Sequence, residues 1–276
     1  MPFRAGLKLR YLNPTRPADT FMKIATWNVN SLRVRMEHIQ QWIADNEPDI
    51  LALQETKVTD DKFPVDEIRS LGYYAAYSGQ KTYNGVAVLS RTKPHDIITD
   101  IPSLNDHQRR ILDTTVGGIR VVNIYVPNGK TVTAPEYTYK LDWLKKLTHH
   151  VKQQLKHHPR LVVVGDINIA PEPRDVHDPA LWEGQVLFSE PERQAFQALL
   201  ETGLTDVFRR FDQPEKQFSW WDYRMQGFRR NHGLRIDHIL ASQGLTRHCT
   251  KCVVDKTPRG WERPSDHAPV VAEFDI

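Results

Sequence analysis

The stretch Arg160 to Asn168, R-L-V-V-V-G-D-I-N, constrains this chain most. Leu161 to Val164 run apolar without a break. A strand with one wet face alternates, so an unbroken run fits a strand buried on both faces. Such a strand needs a covering layer on each side. The run ends at Gly165, and Asp166 and Asn168 follow, two residues apart. In extended chain that spacing puts a carboxylate and a carboxamide on the same side. A buried strand would hold both still at a cleft. The plainer alternative is that Asp166 caps a turn. What decides between them is how many other apolar runs end the same way.

Several do. Lys23 to Val29 reads as a strand ending near Asn28. Asp49 to Thr56 reads as a second, with Glu55 just past its apolar run. Gly85 to Ser90, His95 to Ile101, Arg110 to Val116 and Ile119 to Val126 follow. Gly117-Gly118 suits a tight hairpin between the last two. Tyr125 and Asn128 stand at the exit of the last strand. Leu234 to Ser242 carries Asp237, Cys252 to Asp255 is short, and Ala268 to Phe274 follows Asp266-His267. Helical spacing over Val34 to Asn46 uses Met36, Ile39 and Ile43. Two capping signatures, Thr133 to Glu136 and Ser189 to Glu192, open further helices. The first uses Leu141, Leu144, Leu147, Val151 and Leu155; the second uses Phe196, Leu199 and Leu200. About ten strands and three main helices do not alternate strictly, which implies mixed sheets with helices on their outer faces.

The chain has 276 residues, enough for one large domain or two small ones. No break in composition after residue 22 marks a linker, so 22–276 reads as one domain. Residues 1–21 carry basic residues and prolines without periodicity, and read as a flexible extension. No apolar run reaches membrane-spanning length. With 37 basic against 34 acidic residues the net charge is +3, too little by itself to imply nucleic acid. Cys249 and Cys252 form one C-T-K-C; without a second pair they read as reduced thiols. With no secretory segment, a cytoplasmic location is the default.

Asn28, Glu55, Tyr125, Asp166, Asn168, Asp237, Asp266 and His267 thus all lie at or beyond strand ends. Each alone has a dull reading: a turn former, a surface charge, a half-buried tyrosine, a satisfied histidine. Together they offer carboxylate and amide oxygens, not thiolates. Hard oxygen ligands favour Mg2+ or Mn2+, and Mg2+ completes its octahedron with water and substrate phosphate.

Eight motifs then stand in order: W-N-V-N-S-L-R (27–33), L-Q-E-T-K (53–57), N-G-V-A-V-L-S (84–90), N-I-Y-V-P-N-G (123–129), G-D-I-N-I-A-P (165–171), F-S-W-W-D-Y-R (218–224), G-L-R-I-D-H-I-L-A-S (233–242) and P-S-D-H-A-P-V (264–270). The series resembles the exonuclease III family, the abasic-site endonucleases of base excision repair. The resemblance implies an α/β fold, a four-layer α/β sandwich with its site at one edge of two packed mixed sheets. It implies a metal-dependent nuclease acting as a monomer on double-stranded DNA at abasic sites or 3′ ends, with Mg2+ as cofactor and Mn2+ substituting. Glu55 would be the main metal ligand, with Asn28 and Asp266 nearby; Asp166, Asn168 and His267 complete the candidate metal set. Asp166 would orient and deprotonate water, and Asn168 would hold its geometry. Asp237 would orient a charged His267 against phosphate, and Tyr125 would face phosphate or the leaving oxygen. Asn30 and Asn128 match positions lining the phosphate site.

For DNA contact the candidates are Trp220, Trp221, Arg224, Arg229 and Arg230, with Phe228 among them, and Arg110 beside Arg109. Aromatics interleaved with arginine can stack on bases or fill a helix gap while arginine holds phosphate. One tryptophan is expected in the core and the other in the pocket. The rival classes are a non-catalytic binding protein on the same fold and a phosphatase for a small headgroup. The first should have lost ligands, and the second has no use for a Trp-rich basic loop.

Overall fold

The computed structural model describes residues 21–276, apart from 102, 103 and 105. The expected N-terminal extension therefore lies outside the described residues, except for Phe21. In chain order the elements are β1 (Met22–Asn28), α1 (Met36–Asn46), β2 (Ile50–Gln54), α2 (Val65–Ser70), β3 (Tyr74–Ser78), β4 (Val86–Ser90), β5 (His95–Ile98), β6 (Ile111–Val116) and β7 (Ile119–Tyr125). Then come α3 (Pro135–His157), β8 (Leu161–Asp166), α4 (Pro179–Trp182), α5 (Glu190–Leu200), β9 (Leu204–Asp206), β10 (Trp220–Trp221), α6 (Gly227–Arg230), β11 (Gly233–Leu234), β12 (Asp237–Ser242), α7 (Gln243–Thr246), β13 (Cys249–Val254) and β14 (Val270–Phe274).

Two six-stranded sheets form, ordered β13-β14-β1-β2-β4-β3 and β5-β6-β7-β8-β12-β9. The pairs β1–β2 and β7–β8 are parallel, joined across by α1 and α3; the other neighbours run antiparallel. Period-two alternation explains the layers. Ile24, Ile50, Val88, Val121, Val162, Val164 and Ile239 point into the space between the sheets. Their neighbours Ala25, Leu51 and Leu53 face α1 through Ile39, Trp42 and Ile43. Val122, Ile124, Leu161 and Val163 face α3 and α5 through Trp143, Leu147, Phe196 and Leu199. The result is helix, sheet, sheet, helix, the expected α/β sandwich. All six residues of β8 are buried, as its unbroken apolar run requires.

Four local expectations change. Asn168 is not in extended chain: its φ is +54, and its N–H donates to Asp166 Oδ1 at 3.0 Å. A side-chain turn, not strand alternation, brings it back to the cleft. The α3 start lacks its capping box; Ala134 occupies the cap because Pro135 takes the first helical position. The α5 box does form, between Ser189 and Glu192. The Leu234 to Ser242 strand divides at Arg235-Ile236, where Arg235 turns into a buried ion cluster with Asp175 and Asp206. Finally, α2 and β3 were not expected; Y-A-A-Y-S carries too weak an alternation.

Candidate active site

The parallel register of β7 and β8 sets Tyr125 beside Asp166. The antiparallel register of β8 and β12 sets Asp237 on the other side of Asp166. Three chemistry-bearing side chains thus share one sheet end. The second sheet supplies Asn28 from the end of β1 and Glu55 from just past β2. Glu55 has φ +51, a left-handed conformation that costs a residue with a Cβ about 1 kcal/mol or more. Strain of that kind persists where surrounding contacts hold it. Here Ser31 and Leu32 N–H groups donate to the Glu55 and Thr56 carbonyls.

Asn28 bridges the two carboxylates. Its Nδ2 donates to Glu55 Oε1 and to Asp166 Oδ2, each at 2.9 Å. Its oxygen accepts from Asn30 N–H instead. Counted as a metal ligand from sequence, Asn28 therefore presents its nitrogen to the cleft and acts as a spacer between acids. Lys57 sits 2.8 Å from the other Glu55 oxygen and also donates to Asn30 Oδ1. Asp266 accepts from Asn30 Nδ2 at 2.9 Å and from Trp220 Nε1 at 3.0 Å.

His267 Nδ1 lies 2.9 Å from Asp237 Oδ2, which also accepts from Ser219 Oγ at 2.6 Å. Its Nε2 lies 3.7 Å from Asp166 Oδ2. Burial opposes charge on His267, but the carboxylates of Asp237 and Asp166 outweigh it and push the imidazole up to about 10. In the absence of metal His267 is thus held as a cation facing the cleft, and a ring nitrogen of it is also near enough to Glu55 and Asp166 to share a metal with them. Burial, with Asp237 and Glu55 adding to it against the pull of His267, raises Asp166 to about 7. Burial and then the Glu55 and Asp166 charges hold Tyr125 well above the usual phenol range. Burial works against Asp266 ionisation, but His267, Trp220 and Asn30 prevail and keep it below the ordinary carboxylate range.

Ligand atoms of Glu55, Asp166 and His267 come within 4.8 Å of one another. A divalent cation fits this set through its two carboxylates. Asp166 is short of positive charge, which is what an oxygen-preferring cation would supply. Asn168 is committed elsewhere: its Nδ2 donates to Val126 O and its Oδ1 accepts from Asn128 Nδ2.

The cleft holds about 400 Å3. One wall is ionic; the other is apolar, built from Trp182, Val186, Leu187, Trp220 and Ile236. A larger cavity, about 570 Å3, lies between Arg174 and Lys216 and contains none of the site's acids. Trp220 and Trp221 are strand neighbours and point to opposite faces. Trp220 lines the cleft. Trp221 is fully buried, edge-on to Phe228, and donates to Asn231 Oδ1. Its expected DNA contact is therefore excluded by burial. Arg224 is exposed at the cleft rim, paired with Asp222. Arg229 and Arg230 are exposed on α6. Arg110 packs over the Tyr125 ring and donates to Gln108 and the Tyr125 carbonyl, which makes it a support of the tyrosine. Sequence reading missed Lys57, Trp182, Ser219 and Ile236. The L-Q-E-T-K, F-S-W-W-D-Y-R and G-L-R-I-D-H-I-L-A-S motifs contained three of them; Trp182, on a four-residue helix, carried no signal.

No helix among the described residues is long and apolar enough to cross a membrane. A family model described as Endonuclease/Exonuclease/phosphatase family matches residues 25–267. Exodeoxyribonuclease III of Haemophilus influenzae is 36% identical over 266 residues, covering 92% of this chain and 100% of its own. Among solved structures, the 3′ phosphatase NExo from Neisseria, bound to product DNA hairpin, superposes with a TM-score of 0.91 at 47% identity, covering 92% of this chain and 100% of its own. An AP endonuclease from Archaeoglobus fulgidus gives 0.90 at 41% identity, with the same coverage. By motif order, layer architecture and these matches, the chain belongs to the endonuclease/exonuclease/phosphatase family.

Proposed function

We propose that this protein is a divalent-metal-dependent DNA repair nuclease of the exonuclease III type. It hydrolyses phosphodiesters at abasic sites, removes 3′-terminal nucleotides or blocking groups from duplex DNA, or does both, using Mg2+, with Mn2+ able to substitute. The observation that carries this reading is the convergence of Glu55, Asp166 and a charged His267 at one cleft with an apolar wall. The relatives' printed activities, 3′ phosphatase and AP endonuclease, support the two modes.

In this reading water attacks phosphorus in line with the departing 3′ oxygen. Asp166, poised near neutrality, orients the water and takes its proton. The P–O3′ bond breaks and its electron pair leaves with the oxygen. His267, kept charged by Asp237, donates to a phosphoryl oxygen as negative charge grows there. Tyr125, kept neutral, is a hydrogen-bond donor in the same cleft, and the departing 3′ oxygen takes its proton from solvent. Glu55 and Asp166 would hold the cation, which would supply positive charge to offset the negative charge of the phosphate. Trp220 and its apolar neighbours suit a sugar that lacks its base, and Arg224, Arg229 and Arg230 offer charge for backbone phosphates.

The test is a duplex with one abasic analogue, incubated with and without Mg2+. A metal-dependent nick immediately 5′ of the lesion, or stepwise loss from 3′ ends, is expected. An intact duplex under both conditions would overturn the reading.

A further inference from the structure

Lys140 lies on α3 with no exposed side-chain surface. Its three ammonium protons go to three different segments. They reach the Asn128 carbonyl at 3.1 Å, the Asn168 carbonyl at 2.6 Å and Glu192 Oε1 at 2.5 Å. The first two are the exits of β7 and β8; the third opens α5. Glu192 in turn accepts from Leu187 N–H at 3.0 Å, and from Ser189 N–H and Oγ. Each tied segment supplies cleft wall: Asn128, Asn168 and Leu187. One buried cation therefore joins three pieces of the site without entering it.

Stability alone does not explain this group. Burial disfavours the charged ammonium, and replacing a buried ion pair with apolar residues of similar volume is often neutral or better. What an apolar residue could not do is hold two carbonyls. At Asn168 that carbonyl belongs to the left-handed residue whose own N–H meets Asp166 Oδ1. The Lys140 contact and the Asp166 contact are thus opposite ends of one residue's backbone. Together the two contacts brace both peptide planes of a residue held at φ +54, so releasing the carbonyl removes one of the two restraints on the turn that seats the Asp166 carboxylate.

We propose that Lys140 is a positioning residue: it clamps the Asn128 and Asn168 turns and so sets the placement of the Asp166 carboxylate for hydrolysis. The proposal rests on the function given above. Misplacement by about 1 Å costs on the order of a hundredfold in rate, so its loss should appear in kcat, with KM little changed.

The test uses the full chain, saturating Mg2+ and the abasic duplex, with wild-type turnover as reference. A wild-type protein that cleaves nothing refutes the function; an active one lets the variants decide on Lys140. The double variant Lys140→Met with Glu192→Gln removes both charges together. It is expected to melt lower than wild type, by no more than Glu192→Gln alone plus the loss of two carbonyl contacts, yet to lose about a hundredfold in kcat at a temperature where it is fully folded, with KM within about threefold. Glu192→Gln alone keeps the lysine on both carbonyls; it should melt lower and retain kcat. Lys140→Arg keeps charge, but the larger planar fork does not fit the fully buried site of the ammonium and its three acceptors, so kcat should fall. Wild-type kcat in the double variant overturns the proposal. So does loss of kcat only in step with loss of melting temperature, or failure of both Lys140 variants to fold.

Discussion

In the proposed reaction the chemistry turns on Asp166, and its environment explains why. A carboxyl held near 7 is half ionised at neutral pH and can take a proton from water there. Asp166→Asn keeps shape and hydrogen bonding but removes the base. It should lower kcat by roughly a hundredfold or more while DNA binding survives. Turnover at the wild-type rate would remove Asp166 from the mechanism. Asp237 acts one step back. It is the leading influence holding His267 charged against burial, so Asp237→Asn must lower the imidazole from about 10. A group with a raised value is charged below that value and neutral above it. The alkaline limb of the pH–rate profile should therefore move to lower pH. An alkaline limb that stays where it is in the variant would detach His267 charge from catalysis.

At the scale of elements, β8 works because two strands can approach it closely. Gly165 has φ +141, and a Cβ there would lie 1.9 Å from the Ile124 carbonyl oxygen on β7. Neither strand can move, since both are buried between layers. Gly165→Ala should destabilise the fold by at least about 3 kcal/mol, seen in the denaturant midpoint, and should disturb Tyr125 and Asp166 together. A midpoint within about 0.5 kcal/mol of wild type would show that the parallel pair is looser than described. A polar tie crosses between the sheets below the site. Asn123 Nδ2 donates to the Leu53 and Ala87 carbonyls, and its oxygen accepts from Gln54. It links β7 with β2 and β4, and so couples the strand that carries Tyr125 to the one that leads into Glu55.

For the molecule as a whole, the ionised form of Asp166 is a stability cost that a bound cation would offset, while the charged His267 adds stability. Asp166 is raised from 3.8 to about 7 and His267 from 6.5 to about 10. Groups raised on folding favour the native state at low pH and lose that contribution as pH climbs through the folded value. Without metal, the Asp166 contribution thus fades between about 4 and about 7. A cation binds the ionised acids and competes with the proton. Mass action adds about 2.7 kcal/mol at a hundredfold excess over Kd. Mg2+ should therefore raise the melting temperature more at pH 8 than at pH 5.5. An equal rise at both pH values would place the bound ion away from Asp166.

Periodicity determined much by itself. The unbroken run of β8 demanded layers on both sides, and the ends of β1, β2, β7 and β8 marked the acids and amides of the site. Local patterning was enough for this because a strand's burial and its end are written in consecutive residues. Tertiary structure alone decided what each side chain faces. Trp220 and Trp221 are equal in sequence, yet one lines the cleft and the other fills the core. Asn28 turned nitrogen, not oxygen, toward the acids because two carboxylates from different sheets met there. Lys140 and Trp182, one on a long helix and one on a short one, joined the site through partners far away in the chain. Charge state, hydrogen-bond direction and burial depend on what arrives from elsewhere, and no local pattern encodes that arrival.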